Sequence, residues 1–181
     1  MLTIEIPQRR LWDEAHEEFL YTKGATLVLE HSLVSVSKWE MKWKKPFLGS
    51  EHTNAEMVDY IRCMTISQNV DPEVYQYIDK KTLKIVDDYI NDKMTATWFS
   101  EKNGPKGNGS QQKITNEIIY YWMISLGIPF ECQKWHLNRL LTLIRVCELK
   151  NAPKKKMSKK ATLAQNAALN AQRRKARGSK G

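Results

Sequence analysis

Residues 114–126 constrain the fold more than any other part of the chain. Ile114, Ile118, Ile119, Tyr120, Tyr121, Trp122, Met123, Ile124 and Leu126 put apolar side chains on nearly every side of a helix. A helix that is apolar all round is expected at the centre of a fold, packed on several sides. Gly127 followed by Pro129 should end it. A second helix is expected over residues 134–149. There Leu137, Leu140, Leu141, Leu143, Ile144 and Cys147 form one stripe of roughly 160°. Trp135, Arg139, Thr142 and Val146 make a different, mixed face. Two such helices in succession predict a helical core.

The segments before them are mixed. Leu2, Ile4 and Ile6 alternate with Thr3 and Glu5, a strand period ended by Pro7. Residues 17–21 and 26–30 read as further strands, with Lys23-Gly24 as the turn between them. Ser32 is positioned to cap a helix running to Trp43 and stopped by Pro46. Thr53 and Glu56 have capping-box spacing ahead of Met57, Ile61 and Met64. Asp71-Pro72 is a cap followed by a first helical position, and Leu83, Val86 and Ile90 sit at core spacing. The expectation is an α+β fold, predominantly α-helical: a small N-terminal antiparallel sheet, then a helical body.

Charge divides the 181 residues unevenly. Residues 150–181 hold eleven Lys or Arg and no Asp or Glu. Residues 1–149 hold eighteen basic and all twenty acidic residues, a net of −2. The sequence pI of 9.4 therefore describes one segment rather than the body. We expect a globular domain over 1–150 and a basic tail over 151–181. The tail should include a helix over 158–176 that is poor in apolar residues and ordered by a partner. No apolar run is long enough to span a membrane. The first residues lack the pattern of a signal peptide. Cys63, Cys132 and Cys147 fit reduced thiols better than a disulfide framework.

Candidate chemistry is sparse. Gly104, Gly107 and Gly109 lack phosphate-loop spacing and read as a surface loop. Cys132 and His136, placed four apart, are at most half of a zinc site. Cys147 would lie about 22 Å beyond Cys132 along a continuous helix, too far to complete it. Two ordinary thiols near a core are the favoured reading. His16, His31 and His52 have no nucleophile at a recognisable catalytic spacing. Glu17-Glu18 and Asp87-Asp88 are sequence neighbours that point apart. No catalytic residue, metal or cofactor is expected. Trp39 and Trp43, beside Lys38, Lys42, Lys44 and Lys45, leave two readings open. They either staple a helix to the body, or form an aromatic and basic surface for a nucleic acid or peptide.

Several stretches together carry a resemblance. They are Leu2-Thr-Ile-Glu-Ile-Pro7, Leu11-Trp-Asp13, Glu30-His-Ser-Leu-Val-Ser-Val-Ser-Lys-Trp-Glu40, Asp59-Tyr-Ile-Arg-Cys-Met-Thr-Ile66 and Met94-Thr-Ala-Thr-Trp-Phe-Ser100. Ile118-Ile-Tyr-Tyr-Trp-Met123 and the run from Pro129 to Arg145 complete them. Over nearly its whole length the chain resembles small proteins of long-tailed bacteriophages described as tail assembly chaperones. The resemblance implies a morphogenesis factor of the host cell cytoplasm. It would bind the tape measure protein, the tail-tube protein or both, and catalyse no reaction. That group has no site motif, so no functional residue carries over.

The expected partner-binding residues come from position and charge instead. They are Trp135 and Arg139 on the mixed face, with Lys154, Lys155, Lys156, Lys159, Lys160, Arg173, Arg174, Lys175 and Arg177 in the tail. Two other functions remain open. One is a basic-tailed protein binding nucleic acid weakly and without sequence preference. The other is a structural component of the tail or head–tail junction.

Overall fold

Alternation of apolar and polar residues makes the first strands, and their pairing makes one long hairpin in two ladders. The computed structural model describes residues 1–14, 16–99, 113–152 and 159–178. Strand β1 (Leu2–Ile6) pairs antiparallel with β4 (Ala25–Leu29), and β2 (Arg10–Asp13) pairs antiparallel with β3 (Glu18–Tyr21). Pro7 lacks an amide donor and interrupts the ladder. Pairing is carried past the interruption by Thr22 N–H to Arg9 O (2.8 Å) and Arg9 N–H to Thr22 Oγ1 (2.7 Å). The expected turn at Lys23-Gly24 is not a hairpin turn. It lies at the joint between the ladders, opposite residues 7–9, because β3 and β4 pair with different strands. Gly24 is required there by close approach: a Cβ would stand 2.9 Å from Gln8 N and 3.0 Å from Ile6 O.

The helices start where local caps allow. Helix α1 (Leu33–Trp43) opens with a capping box between Ser32 and Ser35, and α2 (Asn54–Met64) with one between Thr53 and Glu56. Asp71 caps a short 3₁₀ turn, Pro72–Tyr77, and Asp79 caps α3 (Lys80–Asn91) by accepting from Thr82 N–H. Then come α4 (Asn116–Ser125), a 3₁₀ turn (Phe130–Lys134) and α5 (Leu137–Asn151). Gly127 takes a positive φ of 64° just beyond α4, the left-handed conformation that ends a helix.

The core gathers the inner face of the sheet (Ile4, Ile6, Leu27, Leu29) with Leu33, Val36 and Trp39 of α1. Tyr60, Ile61 and Met64 of α2, Val86 and Tyr89 of α3, Ile119 and Met123 of α4, and Leu137, Leu140 and Ile144 of α5 join it, with Phe47, Val74, Tyr75, Ile128 and Cys132 from the connecting segments. The fold is therefore α+β and mostly helical, with a small N-terminal antiparallel sheet.

Two expectations about the helices also fail. The helix expected to be buried all round buries only Asn116, Ile119 and Met123, while Tyr121 is 67% and Ile124 64% exposed. Trp122 is half-buried rather than central. Among the described residues, helix α4 packs on the body along the side of Asn116, Ile119 and Met123. The helix expected over residues 134–149 does not begin until Leu137, so Cys132 and Cys147 do not share a continuous helix. The chain is extended at Trp135, and His136 pairs with Ser32 in a β-bridge. Leu137 N–H donates to His31 O at 2.7 Å. These tertiary hydrogen bonds take the groups a longer helix would have used.

The chain divides into two compact units, Met1–Glu148 and Leu149–Gly181. The second contains α6 (Lys159–Arg177).

Candidate interaction surface

Trp135 and Arg139 do come together. Trp135 closes the 3₁₀ turn Phe130–Lys134, its N–H bonded to Cys132 O at 3.0 Å. Arg139 lies in the first turn of α5, and its guanidinium carbon sits 4.1 Å from the centre of the Trp135 ring. That is a cation–π contact. Trp135 is half-buried against the core while Arg139 is exposed. The indole thus packs against the body and also carries the guanidinium. Of the tail residues, Arg173, Arg174, Lys175 and Arg177 are exposed on α6. Lys159 and Lys160 open that helix, but their side chains, with Lys154, Lys155 and Lys156, lie outside the described residues. So does the glycine cluster at 104, 107 and 109.

The same 3₁₀ turn begins with Phe130, 54% exposed. Its ring lies 6.4 Å from that of Tyr120, which is held by its hydroxyl donating to Gln133 Oε1 at 2.8 Å. Tyr121 and Ile124, three apart on α4, expose further apolar area on the helix that carries Tyr120. The sequence signals α4 as apolar but not which of its apolar side chains are exposed.

The ladder of β2 and β3 bears a second aromatic group. Trp12 and Phe19 are cross-strand partners with ring centres 4.7 Å apart, the Arg10 guanidinium lies 3.4 Å over the Phe19 ring, and Tyr21 is exposed. Alternation alone could have flagged Phe19 and Tyr21 as sharing one face.

Trp39 and Trp43 favour the staple reading. Trp39 is wholly buried and donates from Nε1 to Glu56 O at 3.1 Å. Trp43 stacks on it at 6.0 Å and donates to Asp59 Oδ2 at 2.8 Å. Lys42 is paired with Asp59, and Lys45 with Glu56 at 2.7 Å. The Lys45 ammonium and the Thr53 amide hold the Glu56 carboxyl down to about 2. Two of the four lysines are thus committed to α2.

Three buried polar groups organise the interior. His31 Nδ1 and the Tyr60 hydroxyl lie 2.5 Å apart, and the His31 and His136 rings meet edge to face at 5.0 Å. Burial, reinforced by His136, lowers His31 to about 3. Burial also lowers His136, whose Nε2 lies 3.0 Å from Tyr89 O. Both rings are neutral at neutral pH. The Tyr89 hydroxyl donates to Glu30 Oε1 at 2.7 Å. Glu40 accepts from Phe47 N–H at 2.7 Å, and from Asn116 N–H and Nδ2 at 2.8 and 2.6 Å. Each group is turned inward onto its partners, an arrangement that ties segments together.

Among the described residues, no group of three or more His, Cys, Asp or Glu is placed to hold a metal ion. Cys63, Cys132 and Cys147 are free thiols. No described helix is long and apolar enough to cross a membrane. No family model, no curated protein and no solved structure matches the chain.

Proposed function

We propose that this chain is a non-catalytic binding protein whose body docks a protein partner through the outer face of α4 and the adjoining 3₁₀ turn. The observation that carries this reading is the exposed apolar surface of Tyr121, Ile124 and Phe130. Exposed side chains of this size, grouped together and flanked by polar ones, are characteristic of protein contact sites. Trp135 and its Arg139 partner lie at the far end of the same turn and would extend the surface. Trp and Arg are the residue types that most often anchor interfaces.

The resemblance to phage tail assembly chaperones gives this surface a client: the long helical tape measure protein, with the tail-tube protein as a second candidate. An unassembled tape measure helix would expose apolar faces that need transient cover. Such work belongs in the host cell cytoplasm and requires no reaction.

Co-expression with the cognate tape measure protein tests the proposal. Ile124→Asp combined with Phe130→Asp should leave the circular dichroism of the isolated protein unchanged. Recovery of soluble client should drop about tenfold or more, the effect of losing one strong interface anchor. Undiminished recovery with this folded variant would move the docking surface elsewhere.

A further inference from the structure

Helix α6 has a composition that the protein-docking reading does not use. It runs for 19 residues with six basic residues and no carboxylate. Every residue from Leu163 to Gly178 is exposed. At about 100° per residue, Arg173, Arg174 and Arg177 fall within one arc of roughly 100°, together with Asn166, Asn170 and Leu163. Ala164, Ala167, Ala168 and Ala171 occupy the neighbouring arc, with Lys175 among them. Leu163 and Leu169 point about 120° apart, so they make no apolar stripe.

That pattern discriminates between partners. A protein groove is held by desolvated apolar or aromatic anchors at the centre of the interface. Helix α6 offers only Leu163 and Leu169, on different sides of it, and no aromatic residue. A polyanion needs no such anchor, because affinity comes from phosphates neutralised by Lys and Arg with release of their counterions. Arginine forks and asparagine amides are both phosphate-binding groups. The shape also fits. A helix is about 10–12 Å across, and the major groove of B-form DNA is about 12 Å wide. The four alanines keep one flank slim up to Lys175, itself a phosphate-binding side chain, and about 28 Å of helix follows most of one turn of duplex. The deep, narrow major groove of A-form RNA would not admit it.

We propose that α6 is a binding site for double-stranded DNA, lying along the major groove and held through the phosphate backbone by Arg173, Arg174 and Arg177. The site belongs to the second unit and does not depend on the docking role assigned to the body.

The test uses the full-length protein and the variant Arg173→Ala/Arg174→Ala/Arg177→Ala. Each is titrated against a fluorescent duplex of unrelated sequence between about 50 and 200 mM salt. The unchanged protein should bind at low salt and lose about a hundredfold in affinity over that range. In the variant the slope of log affinity against log salt should shrink by about three. Alanine favours helix, so α6 should persist, and circular dichroism checks this. Two duplexes of different sequence should bind equally. A slope unchanged by the triple substitution, or no binding at low salt, would overturn the proposal. Equal or tighter binding of an RNA duplex would overturn the groove placement. Displacement of DNA by polyglutamate at equal charge would overturn it in favour of an acidic protein partner.

Discussion

His31 owes its chemistry to where it is buried rather than to its neighbours in sequence. Tyr60, 29 residues away, faces its Nδ1, and His136 meets its ring edge on. Its folded pKa of about 3 lies below the ordinary 6.5, so the unfolded chain binds the extra proton first. Stability is therefore complete above pH 6.5 and declines as pH falls from there toward 3. The slope attributable to one such ring is at most about 1.4 kcal/mol per pH unit. Urea titrations at pH 7.5 and 5.0 should show this loss, and His31→Gln should reduce the difference between them. Equal pH sensitivity of the two proteins would assign the effect to other groups. The sequence indicated that His31 has no nucleophile nearby but could not supply its partners, since both arrive by tertiary folding. Trp39 was more legible: large aromatics beside lysines on one helix usually bury the rings and extend the amines. What the pattern lacked was Asp59 and Glu56, which pair with Lys42 and Lys45 from another helix.

Elements were readable in the sequence where their determinants are local. The capping boxes at Ser32 and Thr53 need only four residues each, and both helices begin where these place them. The hairpin depends on a contact no local pattern reveals, the approach of Gly24 to the backbone of residues 6–8. Gly24→Ala should cost about 1–3 kcal/mol by overpacking and loosen the ladder of β2 and β3. Chemical denaturation and hydrogen exchange at residues 9 and 22 would show both effects. Helix α4 marks the limit of a helical wheel, which counts apolar positions but not neighbours. Ile119→Ala should cost about 2–5 kcal/mol, whereas Ile124→Ser should change stability by less than about 0.5 kcal/mol. Equal losses in thermal melts would mean that α4 is enclosed after all. The start of α5 was misjudged because the pairing of His136 with Ser32 comes from more than a hundred residues away.

The whole molecule joins two kinds of matter: a nearly neutral body with a well-packed interior, and a helix defined by charge. The contrast was visible in the distribution of acidic residues before any fold was known. How the body holds itself together was not, and Glu40 illustrates why. Thr115, at the start of α4, makes no side-chain cap, and the helix takes its N-terminal acceptor from Glu40, 76 residues upstream. Glu40→Ala leaves three donors without that acceptor and should cost about 3 kcal/mol or more. Stopped-flow measurements should find most of that loss in faster unfolding, with refolding little slowed. A refolding rate that absorbs the whole loss would contradict this. The cause is chronological. An acceptor so distant along the chain can serve α4 only after α1 and the turn at Phe47 have set it in place. During synthesis Glu40 leaves the ribosome 76 residues before its Asn116 partner, so its carboxylate must stay accessible until the segment that becomes α4 arrives.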